Sequence, residues 1–144
     1  SLYGLKGKEL KAKTEEALER VALSTVADKK IAHFSGGMKR RINLVAGILH
    51  TPEVLFLDEP TVGVDVQSKN IIIDYLKELN VRGMSVLYTS HHLQEAQDFC
   101  DRIGILSEGQ LIKEDTPKNL IKEVQAFNLE EVFIQVTSKA RESS

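Results

Sequence analysis

Between Thr51-Pro52 and Pro60 the chain carries Val54-Leu55-Phe56-Leu57, an uninterrupted apolar run that stops on two adjacent carboxylates, Asp58 and Glu59. A short apolar run bounded by turn formers is the pattern of a strand covered on both faces, as in a parallel sheet with helical crossovers above and below it. Side chains alternate along a strand, so the two acids at its end are sent in different directions. One can serve a metal ion while the other faces water. The plainer alternative is a pair of solvated loop acids or a helix cap, and Pro60-Thr61 makes a turn there reasonable.

The neighbouring periodicities extend this strand into a fold. Met38, Ile42, Val45 and Leu49 recur at spacings of four, three and four, which predicts a helix from Ser35 to about His50 with that face buried, ended by Thr51-Pro52. An earlier amphipathic helix is expected over 8–23, with Leu10, Ala17, Leu18, Val21 and Ala22 on its apolar side. Downstream come a helix over 67–80 with Ile72, Leu76 and Leu79 inward, a buried strand at 84–89, and a helix with an inner face of Leu93, Ala96, Cys100 and Ile103. That helix runs into a strand at 103–106. Strand, helix, strand, helix, strand predicts an α/β parallel sheet with flanking helices, whose binding sites lie beyond the carboxyl ends of the strands. Asp58, Glu59 and His91 fall there. Glu108-Gly109-Gln110 reads as a turn into an edge strand at 110–113, and Thr116-Pro117 as an N-cap with proline at the first helical position. The last helix is expected to end near Ser138, with 139–144 a frayed tail.

Composition narrows the function classes. At 144 residues and 42% hydrophobic content the chain can bury a core. Nineteen Lys and Arg against 21 Asp and Glu give a formal charge of −2, so no global basic field favours nucleic acid or an anionic membrane surface. The single cysteine, Cys100, excludes an intrachain disulfide, and one Cys with four scattered His lacks zinc-ligand spacing. On its apolar face Cys100 reads as inert packing. No apolar run has the length of a membrane span or the layout of a secretion signal.

Any anion binding must therefore be local. Ser35-Gly36-Gly37 opens a helix, where unpaired N–H groups and the helix dipole favour an anion and the missing Cβ atoms allow close approach. Lys39, Arg40 and Arg41 then crowd the first turn against the dipole, a conflict that an anion or an acidic partner would relieve. An ordinary serine cap with two flexible glycines is the alternative. Asp65 reads equally as an N-cap of the helix over 67–80. A nucleotide-binding P-loop needs G-x-x-x-x-G-K-[ST] after a strand. Gly7-Lys8 fails it, with Leu2 in place of the first glycine and Glu9 in place of Ser or Thr.

Phe34-Ser35-Gly36-Gly37-Met38, then Val54 to Pro60, then Thr89-Ser90-His91 arrive in the order of the second half of an ABC-transporter ATPase domain, which the chain resembles over nearly its whole length. The resemblance implies a P-loop NTPase-like α/β fold, present as its C-terminal portion and preceded by part of the ABC helical subdomain. It divides the chain into 1–50, the end of that subdomain with the signature motif; 51–115, part of the catalytic core; and 116–144, C-terminal helices and tail. It further implies that Ser35, Gly36 and Gly37 form the signature that presses on the γ-phosphate of ATP held by an opposing subunit. Asp58 would hold Mg²⁺ through its water shell and Glu59 would be the catalytic base. Asp65 would belong to the loop communicating between the two ATP sites, although Val64-Asp65-Val66 stands where Leu-Asp-Pro is commoner. His91, placed by Ser-His-His-Leu-Gln-Glu-Ala, would be the switch histidine contacting the γ-phosphate, with His92 its variable neighbour.

Met38 followed by a basic run is similar to the branch of drug, antibiotic and sodium exporters. The expected function is thus the ATP-hydrolysing subunit of an exporter, with ATP and Mg²⁺ as ligands. Its expected partners are a membrane permease subunit and a second ATP-binding subunit, in a homo- or heterodimer, with no nucleic acid. Its expected place is cytoplasmic, peripheral on the inner face of the cell membrane. Lacking the P-loop and Gln-loop, the chain reads as a fragment inactive by itself. The alternative is a non-transport ABC ATPase acting on nucleic acid or ribosomes.

Overall fold

The computed structural model describes residues 7–142, and the chain divides between Thr89 and Ser90 into two compact units. Leu2, part of the P-loop comparison above, lies outside the described residues.

The first unit contains α1 (Gly7–Arg20), α2 (Gly36–Ile48), β1 (Val54–Asp58), α3 (Val66–Val81) and β2 (Ser85–Thr89), with short 3-10 turns at Ser24–Val26 and Ile31–His33. Strands β1 and β2 pair in parallel, Asp58 opposite Thr89 at their carboxyl ends. Helix α3 is their crossover and buries Ile72, Leu76 and Leu79 as its spacing predicts, with Tyr75 and Ser68 beside them. Three details differ from the sequence reading. Helix α1 stops at Arg20, because Ala22 takes a left-handed φ of 53° and turns the chain so that Val21 and Leu23 are buried beyond the helix. Helix α2 buries Gly37, Leu44, Val45 and Ile48, whereas Met38, Ile42 and Leu49 are only half-buried. The buried stripe is rotated from the expected one because glycine brings the first turn of α2 close to α3. Strand β1, expected to be covered on both faces, buries only Leu55 fully; Phe56 is 71% exposed, and Val54 and Leu87 are also exposed.

The second unit contains α4 (Leu93–Phe99), β3 (Ile103–Ser107), β4 (Gln110–Asp115), α5 (Pro117–Glu123) and α6 (Leu129–Glu142). Here β3 pairs antiparallel with β4 in a two-stranded sheet, joined by the turn that the sequence predicts at Glu108-Gly109-Gln110. The cause is local: Glu108 and Gly109 both adopt positive φ, 50° and 77°, which is the two-residue turn whose twist suits a tight hairpin. Thr116 caps α5 by accepting the Asn119 N–H at 3.2 Å, with Pro117 in the first turn as expected. Gln125, at φ 56°, separates α5 from α6. Asn128 Oδ1 accepts the Glu131 N–H and Glu131 Oε2 accepts the Phe127 N–H, each at 2.9 Å, a reciprocal arrangement that starts α6. That helix reaches Glu142, so most of the expected frayed tail is helical. The core is Ile105, Leu120, Leu129 and Val132, with Leu93, Ala96 and Ile103 packed on it. Cys100, expected on the inner helical face, is the residue that ends α4.

Leu120 is wholly buried while Phe56 is largely exposed. Leu120→Ala should therefore destabilise the second unit by about 2–5 kcal/mol, and Phe56→Ser should change stability by no more than ~0.5 kcal/mol. Urea unfolding of the two variants checks the contrast.

Candidate functional site

The first unit gathers most of the sequence-derived site residues around the N-terminus of α2. Ser35 is the N-cap: its backbone is extended and its Oγ accepts the Met38 N–H at 3.2 Å. The amides of Gly36 and Gly37 precede the first helical bond, so they remain donors outside the helical ladder. Gly37 has a steric role that the sequence did not reveal. A Cβ built there would lie 2.4 Å from Ser68 Oγ, and 2.9 Å from both Asp65 Oδ2 and Ser68 Cβ. The starts of α2 and α3 thus touch through a position only glycine can occupy, and this contact brings Asp65 to the signature helix.

Asp65 is the N-cap of α3. Its Oδ1 accepts the Ser68 N–H and its Oδ2 the Ser68 hydroxyl, both at 2.8 Å. These two bonds, the backbone one first, hold the Asp65 carboxyl below the usual aspartate range.

Asp58 closes β1. Its Oδ1 accepts the hydroxyl of Thr89, and the Glu59 N–H donates to both Thr89 O and Thr89 Oγ1 at 3.2 Å. Thr89 therefore ties the ends of the parallel pair beneath both acids. Immediately after, Glu59 takes a φ of 46°, in the left-handed region that side chains other than glycine rarely adopt. Pro60 and Thr61 are buried.

Two of the three cations of the basic run find partners within the chain. Arg40 donates from Nε to Pro60 O and from Nη2 to Asp58 O, both at 3.1 Å, and from Nη2 to Glu59 O. Arg41 donates from Nη1 to Val21 O at 2.8 Å, just past the end of α1, and from Nε to Gly37 O at 3.4 Å. Lys39 is exposed. Sequence reasoning noticed the conflict with the dipole but missed its resolution; Arg40, Ser68 and Thr89 are the additional residues of the site.

His91 belongs to the second unit. It is exposed and lies against His92, ring centroids 4.4 Å apart and planes tilted by 35°. Glu95, the glutamate of the Glu-Ala pair that followed it in the sequence argument, is buried on α4. Burial, aided by Asp101 and Glu95, pushes the Cys100 thiol up to about 11, so it is a poor nucleophile at neutral pH.

Residues 4–62 match the family model described as ABC transporter. The linearmycin resistance ATP-binding protein LnrL of Bacillus subtilis is 50% identical over 119 residues, covering 83% of this chain and 38% of that protein. A Nod factor export ATP-binding protein I of Burkholderia thailandensis is 36% identical over 140 residues, 97% of this chain and 46% of that protein. The chain belongs to the ABC-transporter ATP-binding family. Solved cassettes of the family share its fold: an ATP-binding subunit of an ABC transporter superposes with a TM-score of 0.82 at 26% identity, over 94% of this chain and 57% of that one. The ADP conformation of another ABC-transporter cassette gives 0.73 at 25% identity, over 90% of this chain and 52% of that one. This ABC chain spans less than half the length of the curated relatives it matches, and it carries part of the domain.

Proteins of this ABC family bind ATP, typically with Mg²⁺. Among the described residues no three His, Cys, Asp or Glu side chains form a ready metal cage. Mg²⁺ is usually held by one or two carboxylates together with waters and substrate phosphates. Asp58, an exposed carboxylate at the carboxyl end of β1, is a fitting single donor.

Two tests follow from this geometry. Gly37→Ala should cost about 1–3 kcal/mol through overpacking, and Ser68→Gly in the same protein should recover only part of it, because Asp65 Oδ2 still lies 2.9 Å from the new Cβ and glycine weakens α3. Thermal unfolding of the single and double variants measures both. Because the folded Asp65 carboxyl is depressed, its contribution is complete above the unfolded aspartate pKa and lost as pH falls through the lower folded value. Asp65→Asn should accordingly flatten the acid limb of the melting temperature against pH.

Proposed function

We propose that this chain supplies part of an ATP-hydrolysing subunit that powers an exporter, and that Glu59 is the base of that reaction. The observation that carries the reading is the end of β1: two carboxylates at the carboxyl edge of a parallel pair, one of them in a strained left-handed corner, beside the glycine-opened N-terminus of α2. The relatives' roles in linearmycin resistance and Nod factor export support export over action on nucleic acid or ribosomes.

In this reading the water oxygen attacks the γ-phosphorus of ATP while the bond to the β–γ bridging oxygen breaks, and Glu59 takes the proton of the attacking water. Asp58 would hold Mg²⁺, which when bound would supply charge neutralisation to the phosphates. Ser35 and the amides of Gly36 and Gly37 bind the γ-phosphate of a nucleotide held by a second ATP-binding subunit, using the helix N-terminus. Asp65 lies on the loop linking the two sites of that homo- or heterodimer. His91 contacts the γ-phosphate and orients the water. Residues 1–50 serve as the end of the helical subdomain, 51–115 as part of the catalytic core, and 116–144 as C-terminal helices.

No G-x-x-x-x-G-K-[ST] run occurs in the 144 residues, and in this reading they do not turn over ATP by themselves. No helix among the described residues is long and apolar enough to cross a membrane; the subunit docks on a permease at the cytoplasmic face of the membrane.

Phosphate release by the complete subunit tests the assignments. Glu59→Gln should lower kcat by about 10²–10⁴ while ATP-dependent dimers persist on size exclusion, and His91→Ala should lower it by roughly 10². His92→Ala should have only a small effect, through its ring contact with His91. Normal turnover in Glu59→Gln would overturn the reading.

A further inference from the structure

We infer that Arg40 is a positioning residue for Glu59: its guanidinium clamps the three consecutive carbonyls of Asp58, Glu59 and Pro60 and so holds the Glu59 backbone in its left-handed corner. The inference rests on the reading of Glu59 as the base.

A left-handed backbone is costly for a glutamate, and at Glu59 hydrogen bonds on both sides of the residue hold it at φ 46°. On its amide side Glu59 is fixed by the parallel pair, through its N–H bonds to Thr89 O and Thr89 Oγ1 at 3.2 Å. On its carbonyl side the chain curls so that three carbonyl dipoles converge, and converging carbonyls repel one another unless a cation stands between them. Arg40 is that cation. Its planar fork places two nitrogens on three oxygens in one rigid group, a geometry that the point charge of lysine cannot reproduce. The turn is closed further by Val62 N donating to Glu59 O at 3.3 Å, so the oxygen that Arg40 grips is also the acceptor of the turn that follows. Arg40 sits in the second turn of α2, whose start is pinned to α3 at Gly37. The Glu59 carboxylate therefore takes its direction from the signature helix as well as from its own strand.

The test uses phosphate release by the complete subunit together with amide hydrogen exchange. Arg40→Ala should lower kcat by about 10–100-fold with KM for ATP changed by less than about threefold, because a small displacement of a reacting group is costly in rate without touching substrate binding. Arg40→Lys should fall between Arg40→Ala and the parent. Combined with Glu59→Gln, either Arg40 variant should give no further loss, since it acts only through the carboxylate. Should Arg40→Ala fail to fold, Arg40→Lys carries the cycle. An unchanged kcat in the Arg40 variants, or losses that multiply in the double variant, would overturn the inference. Normal turnover in Glu59→Gln overturns the base and leaves the clamp to a separate readout. The Val62 amide should exchange faster in Arg40→Lys while the amides of α3 do not, and unchanged exchange at Val62 overturns the clamp itself.

Discussion

The contact between the starts of two helices, made at Gly37, governs the first unit. Ser68 and Asp65 occupy the space that any side chain at position 37 would need, so the N-termini of α2 and α3 approach at backbone range. That approach has two consequences. It rotates the buried stripe of α2 onto Leu44, Val45 and Ile48, and it sets Arg40 one turn further along, within reach of the corner after β1. Cations in the first turns of a helix stand against its dipole. Committing Arg40 and Arg41 to carbonyl oxygens eases that conflict for two of them and uses their charge to stiffen the surrounding backbone.

The acids at the end of β1 illustrate how one short segment acquires two environments. Asp58 finishes the strand, is exposed, and is oriented by the Thr89 hydroxyl opposite it. Glu59 has left the strand, and its backbone is left-handed. Thr89, from the neighbouring strand, anchors both residues, so the carboxyl end of the parallel pair works as a single piece.

The apolar faces need a different account. Val54 to Leu57 has the composition of a strand covered on both sides, yet the described residues cover the Leu55 side and leave Phe56 exposed. Likewise Leu106 and Leu111 are exposed on the antiparallel hairpin of the second unit. Hydrophobic pattern records the environment for which a strand is suited. In a chain spanning less than half of its relatives' length, the pattern and the observed burial diverge at these positions.

Much of the architecture was legible in the residues because local rules carried it. Thr116-Pro117 starts a helix, Ile72, Leu76 and Leu79 face a core, and the apolar runs near 54 and 85 are strands. The order of Ser35-Gly36-Gly37, Asp58-Glu59 and His91 was enough to indicate the family. The turn at Glu108-Gly109 was legible too, and it closes β3 on β4. What the sequence alone could not supply was where the long polar side chains end. The end of Arg40's side chain depends on where residues 58–60 bring their carbonyls, and periodicity is blind to backbone oxygens. Residue types and their spacing determined which groups this protein possesses; tertiary packing decided that a basic residue beside an anion-binding helix start would grip the backbone of a carboxylate, because an unmet charge and three converging dipoles were brought within reach of each other.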